Sequence, residues 1–123
     1  MNNQTVFSKV YTALVKQGQP SFHHKRGMCM YRTKKGNKIL KCAVGHLIPR
    51  KEYLPKMEGK DIYSLRAEGI LPKSLESVDT SLLEKLQNVH DSWGECTTYS
   101  FWKQSMACIA KDFGLKVPRV SRT

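Results

Sequence analysis

The chain has 123 residues, 40% hydrophobic and 25% charged, which is the composition of one globular domain and too little chain for two. Twenty-one Lys and Arg against ten Asp and Glu leave a net charge of +11, which favours anionic partners such as nucleic acid, nucleotides or acidic protein faces. No run approaches the roughly 18 apolar residues of a membrane span. The start, Met1-Asn2-Asn3-Gln4-Thr5, lacks the basic and apolar stretches of a signal peptide, so a soluble protein of the cytoplasm without membrane association is expected.

The charge is unevenly placed. Residues 1–60 hold 13 basic residues and only Glu52 and Glu58, whereas residues 61–123 carry eight of each sign. No acid occurs before Glu52, while Lys25, Arg26, Arg32, Lys34, Lys35, Lys38, Lys41 and Arg50 crowd the same stretch. A merely solvated surface mixes its signs, so this half is read as an anion-binding surface.

In chain order, Val6, Phe7, Val10, Tyr11, Leu14 and Val15 recur at helical spacing, predicting an amphipathic helix over 5–17 that ends at Gly18. Residues 21–27, with His23, His24, Lys25 and Arg26, read as a basic loop. Residues 28–34 and 38–44 flank Lys35-Gly36-Asn37, predicting a β-hairpin in which Arg32 faces Lys41, Tyr31 faces Cys42 and Cys29 faces Val44. Its inner face is then Cys29, Tyr31, Thr33, Leu40, Cys42 and Val44; its outer face is Met30, Arg32, Lys34, Ile39, Lys41 and Ala43. A short helix is expected over 61–67 with Asp61 at its start. Ser81 with Glu84 suggests a capping box opening a helix that runs to Gly94, with Leu82, Leu83, Leu86, Val89, His90 and Trp93 as its stripe. A last helix is expected over 98–113, with Phe101, Trp102, Ser105, Ile109 and Phe113 on one side. The organisation is one compact domain over 1–118 and a flexible basic tail over 119–123.

Catalytic patterns are weak. Phosphate-binding, dinucleotide-binding and nucleophile-elbow glycine motifs are absent. Cys42 with His46 or His90 is the one thiol–base pairing worth weighing, and Cys29 and Cys42 with His46 and His23 or His24 lack the spacing of a zinc knuckle, so core cysteines are preferred. His90 is read as a hydrogen-bonded histidine at the edge of the core, Asp91 as a loop anchor or ligand contact. Glu52 and Glu58, flanked by basic residues, read as salt-bridged rather than catalytic. An enzyme is the minority reading, and no cofactor or metal is expected. What remains is a basic face with an aromatic ring: guanidinium and ammonium groups match phosphate, and Tyr31 would offer a base a stacking surface.

Cys29-Met30-Tyr31-Arg32, residues 41–49 (Lys-Cys-Ala-Val-Gly-His-Leu-Ile-Pro), Tyr53, Met57-Glu58-Gly59 and His90-Asp91 together resemble a family of small uncharacterised proteins of bacteria and their phages. The resemblance spans roughly residues 6–115, with Cys29, Tyr31, Arg32, Cys42, Gly45, Glu58, Gly59 and Asp91 as matching positions; the chain departs from it in its basic residues over 34–41. It implies a phage or mobile-element origin, hence the host cytoplasm, and carries no activity with it.

The expectation is thus a small α+β domain, a β-hairpin packed against about three main helices. It would serve as a non-enzymatic phage-type accessory protein in counter-defence or host takeover, sequestering a nucleotide or nucleotide-derived immune signal. The expected ligand-binding residues are Tyr31, Arg32, Lys34, Lys41, Arg26, His46, Arg50, Glu58 and Asp91. General DNA or RNA binding, and inhibition by docking on an acidic face of a host protein, are the alternatives. A pocket built between copies of the chain is one way for so small a domain to enclose a ligand.

Overall fold

Asn2 opens the first helix by accepting the Thr5 N–H at 2.8 Å, and α1 (Asn3–Gln17) turns Val6, Phe7, Val10, Tyr11, Leu14 and Val15 inward, as their spacing requires. Gly18, at φ 71°, ends it with its N–H on the Leu14 carbonyl. The computed structural model describes residues 1–121, so the last two residues of the expected basic tail lie outside the described residues; Val120, within that tail, rests partly buried against the core.

The hairpin region differs from expectation in several respects. The segment 21–27 is not a plain loop, because β1 (Phe22–His23) pairs antiparallel with β2 (Met28–Cys29), Phe22 opposite Cys29. The single strand expected over 28–34 is therefore two: after Met30 and Tyr31 the chain changes partner, and β3 (Arg32–Lys35) pairs with β4 (Lys38–Lys41). The break has a physical cause. Glu58 captures the N–H groups of Tyr31 and Arg32, and Met30 donates to the Ser21 carbonyl, so a long ladder has no free donors there. Between β3 and β4 the register is as expected, Arg32 opposite Lys41 and Lys35 opposite Lys38. A positive φ at Gly36 alone is the signature of a type II′ turn. Cys42 and Val44 do not continue β4: the chain closes into a 3-10 turn over Val44–Leu47, which buries Ala43 against its expected outward side.

Short 3-10 turns at Arg50–Glu52, Pro55–Met57 and Lys73–Leu75 and the small helix α2 (Ile62–Ala67), capped by Asp61, lead to the helical layer. The helix α3 (Thr80–Glu95) starts two residues earlier than the capping-box reading, because Asp79 rather than Ser81 is the cap and accepts the N–H groups of Ser81 and Leu82. It also runs through Gly94. A Cβ at Gly94 would stand 2.5 Å from the Cys29 sulfur and 3.5 Å from the Phe22 ring, so the glycine admits the β1–β2 hairpin onto the helix rather than stopping it. The helix α4 (Tyr99–Phe113), capped by Thr98, buries Trp102, Met106, Ile109 and Ala110; Phe101, expected inside, is 52% exposed.

The core joins α1, α3 and α4 around Trp102, whose ring stacks with Tyr11 (5.6 Å), Trp93 (5.1 Å) and Tyr99 (5.7 Å). The architecture is a small α+β domain with three main helices, one short helix and two antiparallel hairpins among the described residues. No helix among them is long and apolar enough to cross a membrane.

Candidate anion-binding site

The pleat of β3 and β4 puts Thr33 and Leu40 inside and Arg32, Lys34, Ile39 and Lys41 outside, with Lys34 and Ile39 exposed and Arg32 and Lys41 half-buried. Lys9 from α1 and Arg50 from the 3-10 turn after Pro49 converge on the same place: burial first, then Arg32, Lys9 and Arg50, push the Lys41 ammonium below its ordinary pKa. Among the described residues the one pair of oppositely charged side chains in contact is Lys60–Glu68, so none of Lys9, Arg26, Arg32, Lys41 and Arg50 has an acidic partner. Like charges gathered without ion-pair partners repel, and an anion relieves that repulsion.

His46 stands beside this cluster. Gln17 Oε1 accepts from the Lys41 N–H (3.1 Å) and lies 3.0 Å from His46 Nε2, while the Gln17 amide donates to the carbonyls of Gln19 and Lys41. These bonds fix the amide orientation and place the ring proton on Nε2, leaving the Nδ1 lone pair without a partner among the described residues. Burial, then Lys41, His90 and Lys9, lowers the His46 pKa to about 4, so the ring is neutral at pH 7.

Tyr31 does not serve as an open stacking surface. Its ring is 5% exposed, and its phenol donates to the Lys60 carbonyl at 2.5 Å. Burial and neighbouring ionisable groups, Cys42 first, raise its pKa. Glu58 is likewise not salt-bridged as expected: Oε1 accepts the Tyr31 N–H (2.7 Å) and Oε2 accepts the Arg32 N–H (3.1 Å) and the Tyr53 hydroxyl (2.7 Å). It is the clamp that orients Arg32. The aromatic ring that does accompany Arg32 is Tyr53, partly exposed, with the guanidinium carbon 6.0 Å from its centroid. Burial and Glu58 raise the Tyr53 pKa to about 12, against the opposing pull of Arg32 and Arg26.

The structure therefore gathers Arg32, Lys41, Arg50 and His46, with Arg26 near Tyr53, and leaves Asp91 elsewhere. Asp91 accepts from Gln87 and His90 beside a cleft of about 240 Å³ that also touches Cys29, Tyr31, Lys60 and Glu95. The donor atoms of Cys29, His90 and Asp91 lie within 4.8 Å of one another, a spacing that invites a metal reading. The hydrogen bonds oppose it. His90, fully buried rather than at the core edge, accepts the Ser21 N–H on Nε2 at 2.9 Å, so its proton is on Nδ1, 3.0 Å from the Asp91 carboxylate. Neither nitrogen retains a lone pair for an ion. Burial, reinforced by Asp91, holds the Cys29 thiol up at about 12, which disfavours the thiolate a metal or a nucleophile needs. Cys42 is fully buried, accepts from the Gly45 N–H, and has its pKa raised by burial, so neither pairing with His46 nor with His90 gives an accessible nucleophile.

Lys9, Gln17 and Tyr53 belong to the site without standing among its expected residues. Lys9 reads in sequence as one more charge on a helix's polar face, and a glutamine before a helix-ending glycine has no distinguishing pattern. Comparison with protein-family models, with curated proteins and with solved structures finds no match to this chain.

Proposed function

We propose that the protein is a non-enzymatic binding protein for a phosphate-bearing ligand, taken up on the face formed by Lys9, Arg32, Lys41 and Arg50. The observation that carries this reading is the placing of Arg32 opposite a half-buried Lys41 on β3 and β4, with the charges of Lys9 and Arg50 acting on the same ammonium and no acid paired to any of them among the described residues. Arg32 brings a planar fork whose backbone is held by Glu58, and Lys41 a point charge suited to phosphate oxygens. In a phage-type accessory protein such a face would sequester a nucleotide or nucleotide-derived signal of the host; the same phosphate chemistry is offered by a DNA or RNA backbone.

The test is a set of thermal melts at low and high salt with mononucleotides, cyclic nucleotides, ADP-ribose-type compounds, and short DNA and RNA oligomers. A stabilising shift lost in Arg32→Glu/Lys41→Glu is expected. If one small nucleotide shifts the melt and survives high salt, the ligand is a nucleotide. If only oligomers do, log affinity should fall with log salt with a slope of about −3 for duplex, as a few phosphates shed their counterions. Charge reversal that leaves every shift intact overturns the proposal, as does the absence of any shift.

A further inference from the structure

A second basic feature lies between the two hairpins. Two adjoining recesses of about 300 and 230 Å³ share Phe22, His24 and Lys35, and the first continues along His23, Lys25 and Lys34. Among the described residues no Asp or Glu lines either recess. The wall is aromatic: Phe22 is half-buried, and His24 stands edge-on to it at 5.1 Å and 75°. Its backing is fixed, because Phe22 lies on α3 at the place where Gly94 has no side chain, so the ring has a firm floor.

The polar groups around that ring are donors. Lys25 and Lys35 are exposed without acidic partners among the described residues, and Lys35 is steered by a 3.0 Å bond to Gln19 Oε1. His23 Nδ1 accepts the Arg26 N–H at 3.1 Å, so the ring proton is on Nε2, which has no partner among the described residues. An apolar ring between ammonium groups and an imidazole N–H suits neither a metal cation nor a purely apolar guest. It suits a flat aromatic group carrying a phosphate.

From this juxtaposition we infer that the groove between the β1–β2 and β3–β4 hairpins binds a nucleotide unit, its base against Phe22 and His24 and its phosphate toward Lys25, Lys35 and the His23 N–H. The site is separate from the Arg32–Lys41 face and stands on its own observations. It adds a second ring to that of Tyr53, which lies 6.0 Å from the Arg32 guanidinium carbon at the other face.

The experiment uses fluorescence anisotropy of a labelled single-stranded DNA oligomer and of an abasic oligomer of the same length, with AMP, ATP and inorganic phosphate as competitors. The wild-type protein should hold the base-bearing strand roughly tenfold more tightly than the abasic one, the size of one base–aromatic stack. Phe22→Leu, which keeps an apolar side chain on Gly94, should erase that difference while leaving abasic binding unchanged; His24→Ala, at an exposed position, should reduce it without touching the core. Lys25→Glu/Lys35→Glu should weaken both strands. Displacement by AMP at concentrations where phosphate is inert identifies a free nucleotide as the ligand, and displacement by strands alone identifies a nucleic acid. Equal binding of base-bearing and abasic strands by the wild type overturns the inference, as does a difference that survives both Phe22→Leu and His24→Ala. Lys9→Glu/Arg50→Glu separates the two sites. If it abolishes binding while the groove variants do not, the groove falls and the Arg32–Lys41 face stands; the reverse pattern removes that face and keeps the groove.

Discussion

The helical layer and the hairpin region of this protein are held together by different means. Around Trp102, α1, α3 and α4 satisfy their own backbone groups internally and meet through aromatic stacking and aliphatic packing. The hairpins are too short for that. Five of the region's N–H groups are met by side chains from distant parts of the chain: Ser21 by His90, Tyr31 and Arg32 by Glu58, Lys41 by Gln17, and Val44 by Gln87. Small strands that gain little from their own ladders are stable here because helices and turns elsewhere in the chain lend them acceptors. The consequence for function is that the basic side chains sit on a scaffold whose polar groups are already spoken for, which leaves their charges free for a ligand.

The largest effect that would sharpen this contrast is in the helical layer. Trp102→Ala removes the ring on which Tyr11, Trp93 and Tyr99 converge and should destabilise by about 4 kcal/mol in urea unfolding. A loss under about 1 kcal/mol would mean that the aromatic stack is not the joint between the helices.

Next in size is a pH effect in the hairpin region. The folded pKa of His46, about 4, lies below its ordinary value of 6.5, so as pH falls the unfolded chain takes up the proton first. The stability tied to neutral His46 is complete above pH 6.5 and is lost as pH drops toward 4, a total of roughly 3 kcal/mol. The difference between wild type and His46→Gln should show that slope in this window and be flat above it. A bound phosphate would raise the His46 pKa, and NMR titration with and without ligand reads it directly.

Smaller again is Glu58→Gln. The amide keeps one acceptor but turns an N–H toward groups that are themselves donors, so a loss of about 2 kcal/mol is expected, together with weaker phosphate binding through a misplaced Arg32. Unchanged stability would show that Glu58 is not the clamp of the region and would return the comparison to packing alone.

Much of this arrangement is legible from residue types. Helix positions follow from apolar spacing, Gly18 and Gly114 mark helix ends, and the Gly36 turn sets which residues of β3 and β4 face outward, because each depends on neighbours a few positions away. That is why Arg32, Lys34 and Lys41 are recognisable as surface cations from residue order alone. The division of the expected strand at Met30 and Tyr31 is not legible, since its cause, Glu58, is 26 to 27 residues away. The same holds for the stop of α3, where Gly94 looks like a terminator and is instead the space into which Phe22 and Cys29 fit.

Residue types alone decide that this chain makes amphipathic helices, a basic β-hairpin and an acid-free stretch ahead of Glu52, because propensity, periodicity and charge are local or additive properties. Tertiary structure alone decides which aromatic ring meets the cations. Tyr31 is the neighbour of Arg32 in sequence but is drawn inward by the Lys60 carbonyl, whereas Tyr53 and Phe22 reach the surface beside basic groups through contacts that span the fold. Burial is set by the sum of packing from all sides, and no local pattern contains that sum.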